Sequence, residues 1–266
     1  MSLVVQISDP HFGTERAEVV DALRTSIRAL QPELVILSGD VTQRARRAQF
    51  AAARHFIDTL ERPWLAIPGN HDVPLLNLVA RAFDPFGGYR RAFGTDLEPI
   101  FTDPRLLVIG VNTVRATRHK NGEVSDAQIA RVCERLRQAD RDQLRIVVTH
   151  QPVHVIREKD IANLLIHREP AIVAWAEAGA DLVLGGHIHL PYVRPLDNET
   201  RRLARPLWSV QAGTAVSSRI REGISNSFHV IRHERDHGIA TVEQWDYDEG
   251  RRQFDAGQMT TIPLQR

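Results

Sequence analysis

The amino-acid sequence predicts an α/β fold, with a largely parallel or mixed sheet covered by helices on both faces. Short apolar runs alternate along most of the chain with segments whose apolar residues recur at helical spacing. That alternation is typical of β–α–β units. The chain has 266 residues, of which 42% are hydrophobic and 25% charged. Without a repeat or an obvious linker, this composition predicts one globular domain over residues 1–266.

The predicted elements follow one another in a regular order. Strands are expected at 3–7, 34–37, 64–67, 106–111, 145–149 and 182–184. Helices are expected between them at 17–30, 46–59 and 126–137, and Ser125 can cap the last of these. Residues 74–104 carry prolines, Gly87-Gly88 and several aromatic side chains. This stretch predicts either a long surface loop or a small helical insertion.

The C-terminal part, residues 207–248, is rich in strand patterns. Apolar runs at 207–210, 228–231 and 240–247 predict strands joined by short polar turns, with no long helix between them. We interpret these strands as a second, more antiparallel sheet that packs on the first. The stretch 212–219 predicts either a turn or a source of backbone amides near a site.

Composition excludes several classes of protein. A formal net charge of +1 gives no general attraction to nucleic acid or to an anionic membrane. Cys133 is the single cysteine, so an internal disulfide framework is excluded. No apolar run approaches the ~18 residues of a membrane span. The chain enters its first strand without a basic leader, so we expect a soluble, cytoplasmic protein. Lys120 and Lys159 are the only lysines, and arginine carries the other positive charges.

Five short polar motifs each follow the carboxyl end of a predicted strand. They are Asp9-Pro10-His11, Gly39-Asp40, Gly69-Asn70-His71-Asp72, Thr149-His150 and Gly185-Gly186-His187-Ile188-His189. In open α/β sheets, ligands bind at that edge because the loops there converge on one crevice. Each motif alone is a weak signal, since a lone Asp-x-His arises by chance and a lone Gly-Asp is usually a turn. Five in this order predict one shared site.

The residue types in the motifs indicate a metal site. Imidazole and carboxylate ligands suit Mn, Fe and Zn, and the motifs contain no thiolate, which argues against a structural zinc–cysteine site. Asp-x-His and His-x-His place two donors on the same side of an extended segment. Glycines precede Asp40, Asn70 and His187, where they let the backbone turn sharply and approach the cluster closely.

As an ordered set, the motifs resemble those of the calcineurin-like metallophosphoesterase superfamily. Within it, the chain is most similar to the bacterial class III cyclic nucleotide phosphodiesterase and glycerophosphodiesterase branch. The motifs span residues 9 to 189. The resemblance implies a four-layered α/β/β/α sandwich, in which two mixed sheets are flanked by helices and the metals lie at the strand ends.

The resemblance also implies a binuclear metal site with a role for each motif residue. Asp9, His11 and His189 would hold the first metal, Asn70, His150 and His187 the second, and Asp40 would bridge them. Mn and Fe suit these donors best, and Zn is an alternative. A hydroxide bridging the two metals would attack phosphorus. His71 would be the catalytic residue that stabilises charge at phosphorus or protonates the leaving alkoxide. Asp72 would orient His71 or hold the loop, and we favour the loop.

The predicted function is hydrolysis of a small phosphodiester, either a 3′,5′-cyclic nucleotide or a glycerophosphodiester. The alternative is a phosphomonoesterase or nuclease of the same superfamily. A second alternative is a non-catalytic scaffold with this fold, which we disfavour because every implied ligand position and His71 hold the expected residue types. The near-neutral net charge predicts no dedicated nucleic-acid surface and no membrane partner.

Contacts beyond the metal ligands are less well specified by the sequence. Arg44 and His154 follow motif residues and are candidate substrate-binding residues, although each could be a solvated loop residue. The aromatic-rich stretch of Phe83, Phe86, Tyr89 and Phe93 is a candidate homodimer surface. It could equally be a lid over the site or part of the core.

Overall fold

Two six-stranded sheets, with helices on their outer faces, make up the computed structural model, which describes residues 2–75, 77–197, 202–234 and 237–265. The strands are β1 (Ser2–Ile7), β2 (Leu34–Ser38), β3 (Trp64–Ile67), β4 (Ile100–Thr102), β5 (Leu106–Gly110), β6 (Leu144–Val148), β7 (Leu182–Gly185), β8 (Tyr192–Pro195), β9 (Trp208–Gln211), β10 (Ser227–Glu234), β11 (Ile239–Asp248) and β12 (Gln253–Pro263). The α-helices are α1 (Ala17–Leu30), α2 (Arg47–Thr59), α3 (Leu78–Phe83), α4 (Gly87–Phe93), α5 (Asp126–Arg137) and α6 (Arg168–Ala178). Short 3₁₀ turns lie at Asn70–Asp72 and Glu158–Asn163. None of the described helices combines the length and apolar character that crossing a membrane requires.

Both sheets are mixed. The first has the strand order β12-β11-β10-β1-β2-β3, in which β1, β2 and β3 are parallel and β10 to β12 are antiparallel. The second has the order β4-β5-β6-β7-β9-β8, in which β5, β6, β7 and β9 are parallel and the two edge strands run antiparallel. The carboxyl ends of the parallel strands therefore carry the loops in which the five motifs lie.

Three apolar layers hold the four structural layers together. Helix α1 buries Val19, Leu23 and Ile27, spaced at four residues, against the outer face of the first sheet. Helices α5 and α6 cover the outer face of the second sheet, with Trp175 fully buried. A middle layer of aliphatic side chains from both sheets fills the space between them. The predicted four-layered α/β/β/α sandwich of two mixed sheets is confirmed.

A polar contact also joins the two sheets beneath the motif loops. Gln6 of β1 is fully buried, and its amide donates to the Ser38 hydroxyl at 3.1 Å and to the Gly185 carbonyl of β7 at 3.0 Å. A buried amide is tolerated here because its donors are satisfied. The contact links the first sheet to the second next to the ends of three motif-bearing strands.

The prediction that residues 207–248 form a sheet of their own is wrong. Strand β9 joins the second sheet in parallel with β7, and β10 extends the first sheet by antiparallel pairing with β1. The strand pattern was correct, but apolar alternation does not say which sheet edge a strand will pair with. The free backbone groups on the outer side of β1 are satisfied by this pairing. The strand-rich part also continues beyond residue 248, through β12.

Residues 74–104 form a helical insertion rather than an irregular loop. Helices α3 and α4, of 6 and 7 residues, lie within it, and β4 lies near its end. Tyr89 and Phe93 of α4 are buried and stack on each other with ring centroids 5.1 Å apart. Phe83 of α3, by contrast, is 86% exposed. The aromatic-rich stretch is therefore divided between the core and the surface.

Candidate metal centre

The structure places the predicted site residues at the carboxyl ends of five strands. Asp9 and His11 follow β1, Asp40 follows β2, Asn70 and His71 lie in the 3₁₀ turn after β3, His150 follows β6, and His187 and His189 follow β7. Donors from the first sheet thus meet donors from the second. The convergence expected from the strand order is observed for all of these residues.

Left-handed backbone conformations recur among the implied ligands. Positive φ angles occur at Asp9 (49°), His11 (45°), Asp40 (46°), His187 (73°) and His189 (52°). Such angles are uncommon for residues other than glycine, and each costs about 1 kcal/mol or more unless the surroundings enforce it. Their concentration at one site indicates that the loops are held in a conformation that directs side chains to a common point.

Glycine is required where the loops approach each other. Gly39 has φ of 95°, and a Cβ there would meet the imidazole ring of His150. A Cβ at Gly69 would meet the backbone nitrogen and carboxylate of Asp40. These contacts confirm that the motif glycines allow close approach of backbone to the cluster.

The donor atoms form two groups that share Asp40. In the first, His189 Nε2 lies 3.4 Å from an Asp9 carboxylate oxygen, and His11 Nε2 lies 3.8 Å from oxygens of both Asp9 and Asp40. In the second, His150 Nε2 lies 3.3 Å from the other oxygen of Asp40. Potential ligand atoms of Asp9, His11 and His189, and likewise those of Asp40, His150 and His187, lie within 4.8 Å of one another.

Asn70 and His71 complete the cluster. The side-chain oxygen of Asn70 lies 3.3 Å from His150 Nε2, on the side of the second group. A third set of donor atoms within 4.8 Å of one another consists of His11, Asp40 and His71. His71 thus lies beside the first group as well as beside Asn70.

The hydrogen bonds of the histidines fit metal binding. His150 Nδ1 lies 2.9 Å from the Ser38 carbonyl, and His189 Nδ1 lies 2.8 Å from the Arg219 carbonyl. Bonds of this kind fix the tautomer and leave Nε2 free to bind a metal. Both ring nitrogens of His187 are buried without a hydrogen-bond partner, as is Nδ1 of His11. Buried unpaired nitrogens are costly, and a metal ion would satisfy them.

Burial and charge set the protonation of these groups in opposite directions. Burial, together with the neighbouring His150, lowers the pKa of His187 to about 3. Burial likewise lowers the pKa of His11 to about 3. Burial alone would lower the pKa of His150, but the carboxylate of Asp40 raises it to about 9. Neutral His187 and His11 offer lone pairs, and the carboxylates supply negative charge that favours bound metal cations.

His71 faces the cavity through one ring nitrogen. Its backbone N–H donates to Asp40 at 2.8 Å, and its Nδ1 lies 2.9 Å from the Gln43 carbonyl, to which it can donate only as N–H. Nε2 then points away from that loop, 3.4 Å from the guanidinium of Arg219. The imidazole is therefore held through both ring nitrogens, and the backbone of His71 through its N–H, beside the donor cluster.

Asp72 holds the loop rather than orienting His71. Its carboxylate accepts hydrogen bonds from the backbone N–H groups of Val41, Thr42 and Gly69, and from the Thr42 hydroxyl, at 2.8–3.0 Å. Burial, with the nearby charge of Asp40, raises the pKa of Asp72 to about 6. These bonds tie the loop after β2 to the turn after β3, in line with the interpretation that we favoured.

A cavity of about 840 Å³ opens over the cluster. Its lining includes the motif residues His11, Asp40, Asn70, His71, His187 and His189. Arg44, one of the two candidate substrate-binding residues, also lines it. Among the described residues, His154 is not part of this lining. It lies against Tyr192, with ring centroids 6.3 Å apart, and the Tyr192 hydroxyl donates to its carbonyl.

Sequence reasoning missed several residues that line the cavity. They are Gln43, Val73, Leu75, His119, Lys120, Asn163, Ile188, Ile220 and Arg221. Arg219 was expected only as part of a stretch that supplies backbone amides. It instead supplies a carbonyl to His189 and a guanidinium to His71. The scarcity of lysine was the one signal that could have drawn attention to Lys120.

Comparisons with known proteins agree with this geometry. The model of the calcineurin-like phosphoesterase family matches residues 2–191. A probable glycerophosphodiester phosphodiesterase of Arcobacter nitrofigilis is 24% identical over 200 residues, which cover 70% of this chain and 71% of that protein. A probable cyclic nucleotide phosphodiesterase of Synechococcus sp. is 25% identical over 203 residues, which cover 72% and 74%.

A solved structure shares the fold over nearly the whole length. A dimetal phosphatase from Danio rerio superposes with a TM-score of 0.67 at 14% identity, and the match covers 99% of each chain. That likeness concerns the fold, whereas the family match spans the strands and loops that carry all of the implied ligands. The chain therefore belongs to the calcineurin-like phosphoesterase family and is a phosphoric ester hydrolase.

Proposed function

We propose that the protein is a binuclear-metal-dependent phosphodiesterase that hydrolyses a small phosphodiester, either a 3′,5′-cyclic nucleotide or a glycerophosphodiester. The observation that carries this proposal is a pair of donor groups sharing Asp40 at the floor of one cavity, with His71 beside them. The cavity volume of about 840 Å³ suits a nucleotide-sized ligand. The names of the two relatives support a diester as the substrate.

The donors divide into two ligand sets. In this proposal Asp9, His11 and His189 hold the first metal ion, Asn70, His150 and His187 hold the second, and Asp40 contacts both. Oxygen and imidazole donors suit Mn and Fe best, and Zn next. Two such ions, when bound, would neutralise charge on the phosphoryl oxygens and lower the pKa of a bound water.

His71 has the position of a general acid in this proposal. Hydrolysis adds water to phosphorus and breaks the bond between phosphorus and one alcohol oxygen, which leaves as an alkoxide that needs a proton. Nδ1 of His71 donates to the Gln43 carbonyl, so Nε2 is the ring nitrogen left to exchange a proton in the cavity, and it can give a proton to the alkoxide only when the ring is protonated on both nitrogens. The bond from its backbone N–H to Asp40 holds the ring at a constant place relative to the ligand sets.

Hydrolysis of bis(p-nitrophenyl) phosphate by the Mn²⁺-loaded protein tests the proposal. We expect His71→Ala to lower kcat by about a hundredfold or more, since a positioned proton donor contributes that much. His55→Ala, a change of the same type at an exposed position of α2, should retain activity. Equal rates in the His71→Ala and unmodified proteins would remove His71 from the mechanism.

A panel of natural and model esters then separates the alternatives. It contains 3′,5′-cyclic AMP, 2′,3′-cyclic AMP, glycerophosphoethanolamine and p-nitrophenyl phosphate. Preference for a natural diester supports the proposal, whereas preference for the monoester favours a phosphomonoesterase. A protein that hydrolyses none of them and is indifferent to metal would have to be a scaffold.

The proposed function also includes a cellular location and the class of binding partner. The substrate is a free small molecule in the cytoplasm, and neither a nucleic acid nor a membrane is a partner. A formal net charge of +1 supports this, because it provides no general attraction to either polyanion.

We further propose a homodimer that forms through helix α3. Leu78, Val79 and Phe83 on this helix are 70%, 69% and 86% exposed, although most large apolar side chains of the described chain are buried. Burying such side chains against a second copy would remove apolar surface from water. Light scattering tests this: Phe83→Glu should give a monomer where the unmodified protein gives a dimer. A monomer in both would contradict the proposal.

A further inference from the structure

Three exposed cationic side chains line the cavity above its buried donors. Arg44 lies in the loop after β2, Lys120 in the loop after β5, and Arg219 in the loop between β9 and β10. We call these three residues the cationic rim. Asp40, by contrast, lies at the floor of the cavity and is 2% exposed.

No carboxylate neutralises the cationic rim in the described part of the chain. Arg221, a fourth cation of the lining, is different because it forms an ion pair with buried Asp160 at 3.0 Å. Arg219 contacts no carboxylate: it donates to the Gln43 side-chain oxygen at 3.0 Å and lies 3.4 Å from His71 Nε2. Neither Arg44 nor Lys120 has an ion pair among the described residues. The cationic rim therefore presents to the cavity positive charge that no carboxylate of the described residues neutralises.

Asp40 cannot provide the missing counter-charge. It is the one carboxylate among the described residues that line the cavity. Its oxygens already accept from the His71 backbone N–H at 2.8 Å and lie 3.3 Å from His150 Nε2. A positively charged group on a ligand would consequently find no acidic partner in the lining.

The cationic rim reaches both sides of the donor cluster. Gln43 accepts from His71 through its carbonyl and from Arg219 through its side chain, and Arg44 follows it directly, which places these two arginines on the His71 side. The Lys120 carbonyl accepts from Gln151, the residue after His150. A ligand bound over the donors would thus meet positive charge at both ends.

We propose that the cationic rim selects phosphodiesters in which one alcohol carries a second anionic group, a carboxylate or a terminal phosphate. An ammonium on that alcohol is disfavoured, and a 3′,5′-cyclic nucleotide, which has no second anion, becomes the less favoured of the two proposed substrates. This inference rests on the proposed function, because the scissile phosphodiester is taken to lie over the two ligand sets. Its single negative charge is then engaged at the floor of the cavity, and the rim is left to bind a second anion.

Three esters with the same scissile diester test the selection. Glycerophosphoethanolamine carries an ammonium, its N-acetyl derivative is neutral at that position, and its N-succinyl derivative carries a carboxylate. We expect kcat/KM of the Mn²⁺-loaded protein to rise about threefold to tenfold at each step, mainly through KM, and the differences to shrink as salt is raised. Equal values, or preference for the ammonium, overturn the proposal.

A matched pair of dinucleotides extends the test to phosphate. Adenylyl-adenosine with and without a 5′-phosphate differ in one dianionic group, so a preference for the phosphorylated form identifies a terminal phosphate as an acceptable second anion. Preference for the succinyl ester alone identifies a carboxylate. Discrimination in neither series overturns the proposal.

Variants of the cationic rim show whether these residues cause the selection. Lys120→Gln and Arg219→Gln should each lower the ratio of kcat/KM between the succinyl and acetyl esters about threefold. A change that slows hydrolysis of both esters equally leaves this ratio of kcat/KM values unaltered. Arg47→Gln, an exposed arginine outside the cavity lining, should leave the ratio as it is. A ratio that survives both rim variants overturns the assignment.

A binding measurement separates this inference from the proposed function. Calorimetry with the Mn²⁺-loaded His71→Ala protein should give a Kd for the succinyl ester about threefold to tenfold below that of the acetyl ester. Adding Lys120→Gln should reduce the difference. If no ester is cleaved, the proposed function fails, and this binding comparison alone decides whether the cationic rim selects anions.

Discussion

At the scale of single residues, backbone conformation matters as much as side-chain type in bringing the candidate metal donors together. Asp9, His11, Asp40, His187 and His189 all have φ between 45° and 73°. A left-handed conformation turns the chain sharply at each of these positions, so that two donors separated by one residue can approach the same point. The loops therefore hold their donors in place through local strain that the surrounding fold must offset.

We expect the loop conformation at the site to be most sensitive to an added Cβ atom at Gly69. We expect Gly69→Ala to lower kcat about a hundredfold, because the new Cβ would meet the backbone of Asp40 and displace Asn70 and His71 together. Gly250→Ala, in an exposed turn, provides the matched control. Bound metal measured by atomic emission should fall only in the first variant, and unchanged activity in Gly69→Ala would contradict the packing argument.

His229 links stability to pH away from the metal centre. It is 1% exposed, its Nδ1 lies 3.4 Å from Gln6, and burial lowers its pKa to about 4. The unfolded chain binds a proton near pH 6.5 and the folded protein only near pH 4. The free energy of unfolding should therefore fall as pH drops through that window, by up to about 3 kcal/mol.

Urea denaturation of the EDTA-treated protein at several pH values measures this effect. The His229→Gln variant should lose that part of the pH dependence between pH 6.5 and 4 while keeping the part due to carboxylates and to the buried imidazoles of His11 and His187. Parallel curves for the two proteins would show that His229 does not titrate as its burial indicates.

At the scale of elements, the C-terminal strands are held by an aromatic cluster. Phe228 of β10 lies 5.1 Å from Phe254 of β12 and 5.6 Å from Trp245 of β11, measured between ring centroids. Phe228 is 1% exposed. One side chain therefore contacts all three antiparallel strands that extend the first sheet.

We expect Phe228→Ala to lower the free energy of unfolding by about 3–5 kcal/mol, because it removes a buried aromatic ring and leaves a cavity. Met259→Ala shortens a side chain of β12 that is 60% exposed and lies outside helix α3, and it should cost less than about 0.5 kcal/mol. Chemical denaturation of the two variants gives both values. Similar losses in the two would show that β10 contributes little to the global unfolding transition.

The elements also show how far sequence reasoning reached. The strand ends predicted that the five motifs meet at one site, because parallel strands such as β1 and β2 must bring their carboxyl ends to one edge. The assignment of individual ligands came from the family resemblance. The sequence did not predict that Arg219 and Lys120 line the cavity, because contacts between distant segments position their loops. One such contact is the hydrogen bond from the Ser218 backbone N–H to the Thr14 carbonyl. The sequence also did not predict which sheet β10 joins, because apolar alternation shows which face of a strand is buried but not which strand it pairs with.

At the scale of the whole molecule, metal binding should stabilise the fold. The two ligand sets draw on loops from both sheets, and His187 has both ring nitrogens buried without partners. A metal present at about a hundredfold excess over its Kd would add about 3 kcal/mol to the free energy of unfolding. For a chain of this size that corresponds to a rise of about 5–10 °C in Tm.

Thermal unfolding with Mn²⁺ and with EDTA measures this difference. His187→Ala should lose most of the shift, whereas His55→Ala should keep it. A shift of equal size in His187→Ala would place the stabilising metal elsewhere in the protein.

The amide of Gln6, which joins β1 to β7 beneath the site, has a consequence for how the molecule can change over time. The candidate metal donors lie on loops of opposite sheets, so the distance between the sheets affects the spacing of those donors, and the Gln6 amide links the sheets through the Gly185 carbonyl. Substitutions in the middle aliphatic layer, far from any ester, would alter that gap and thereby tune which ion is accepted. We therefore expect that substitutions in the core can change which metal ion is preferred, even when all of the proposed ligand residues stay the same.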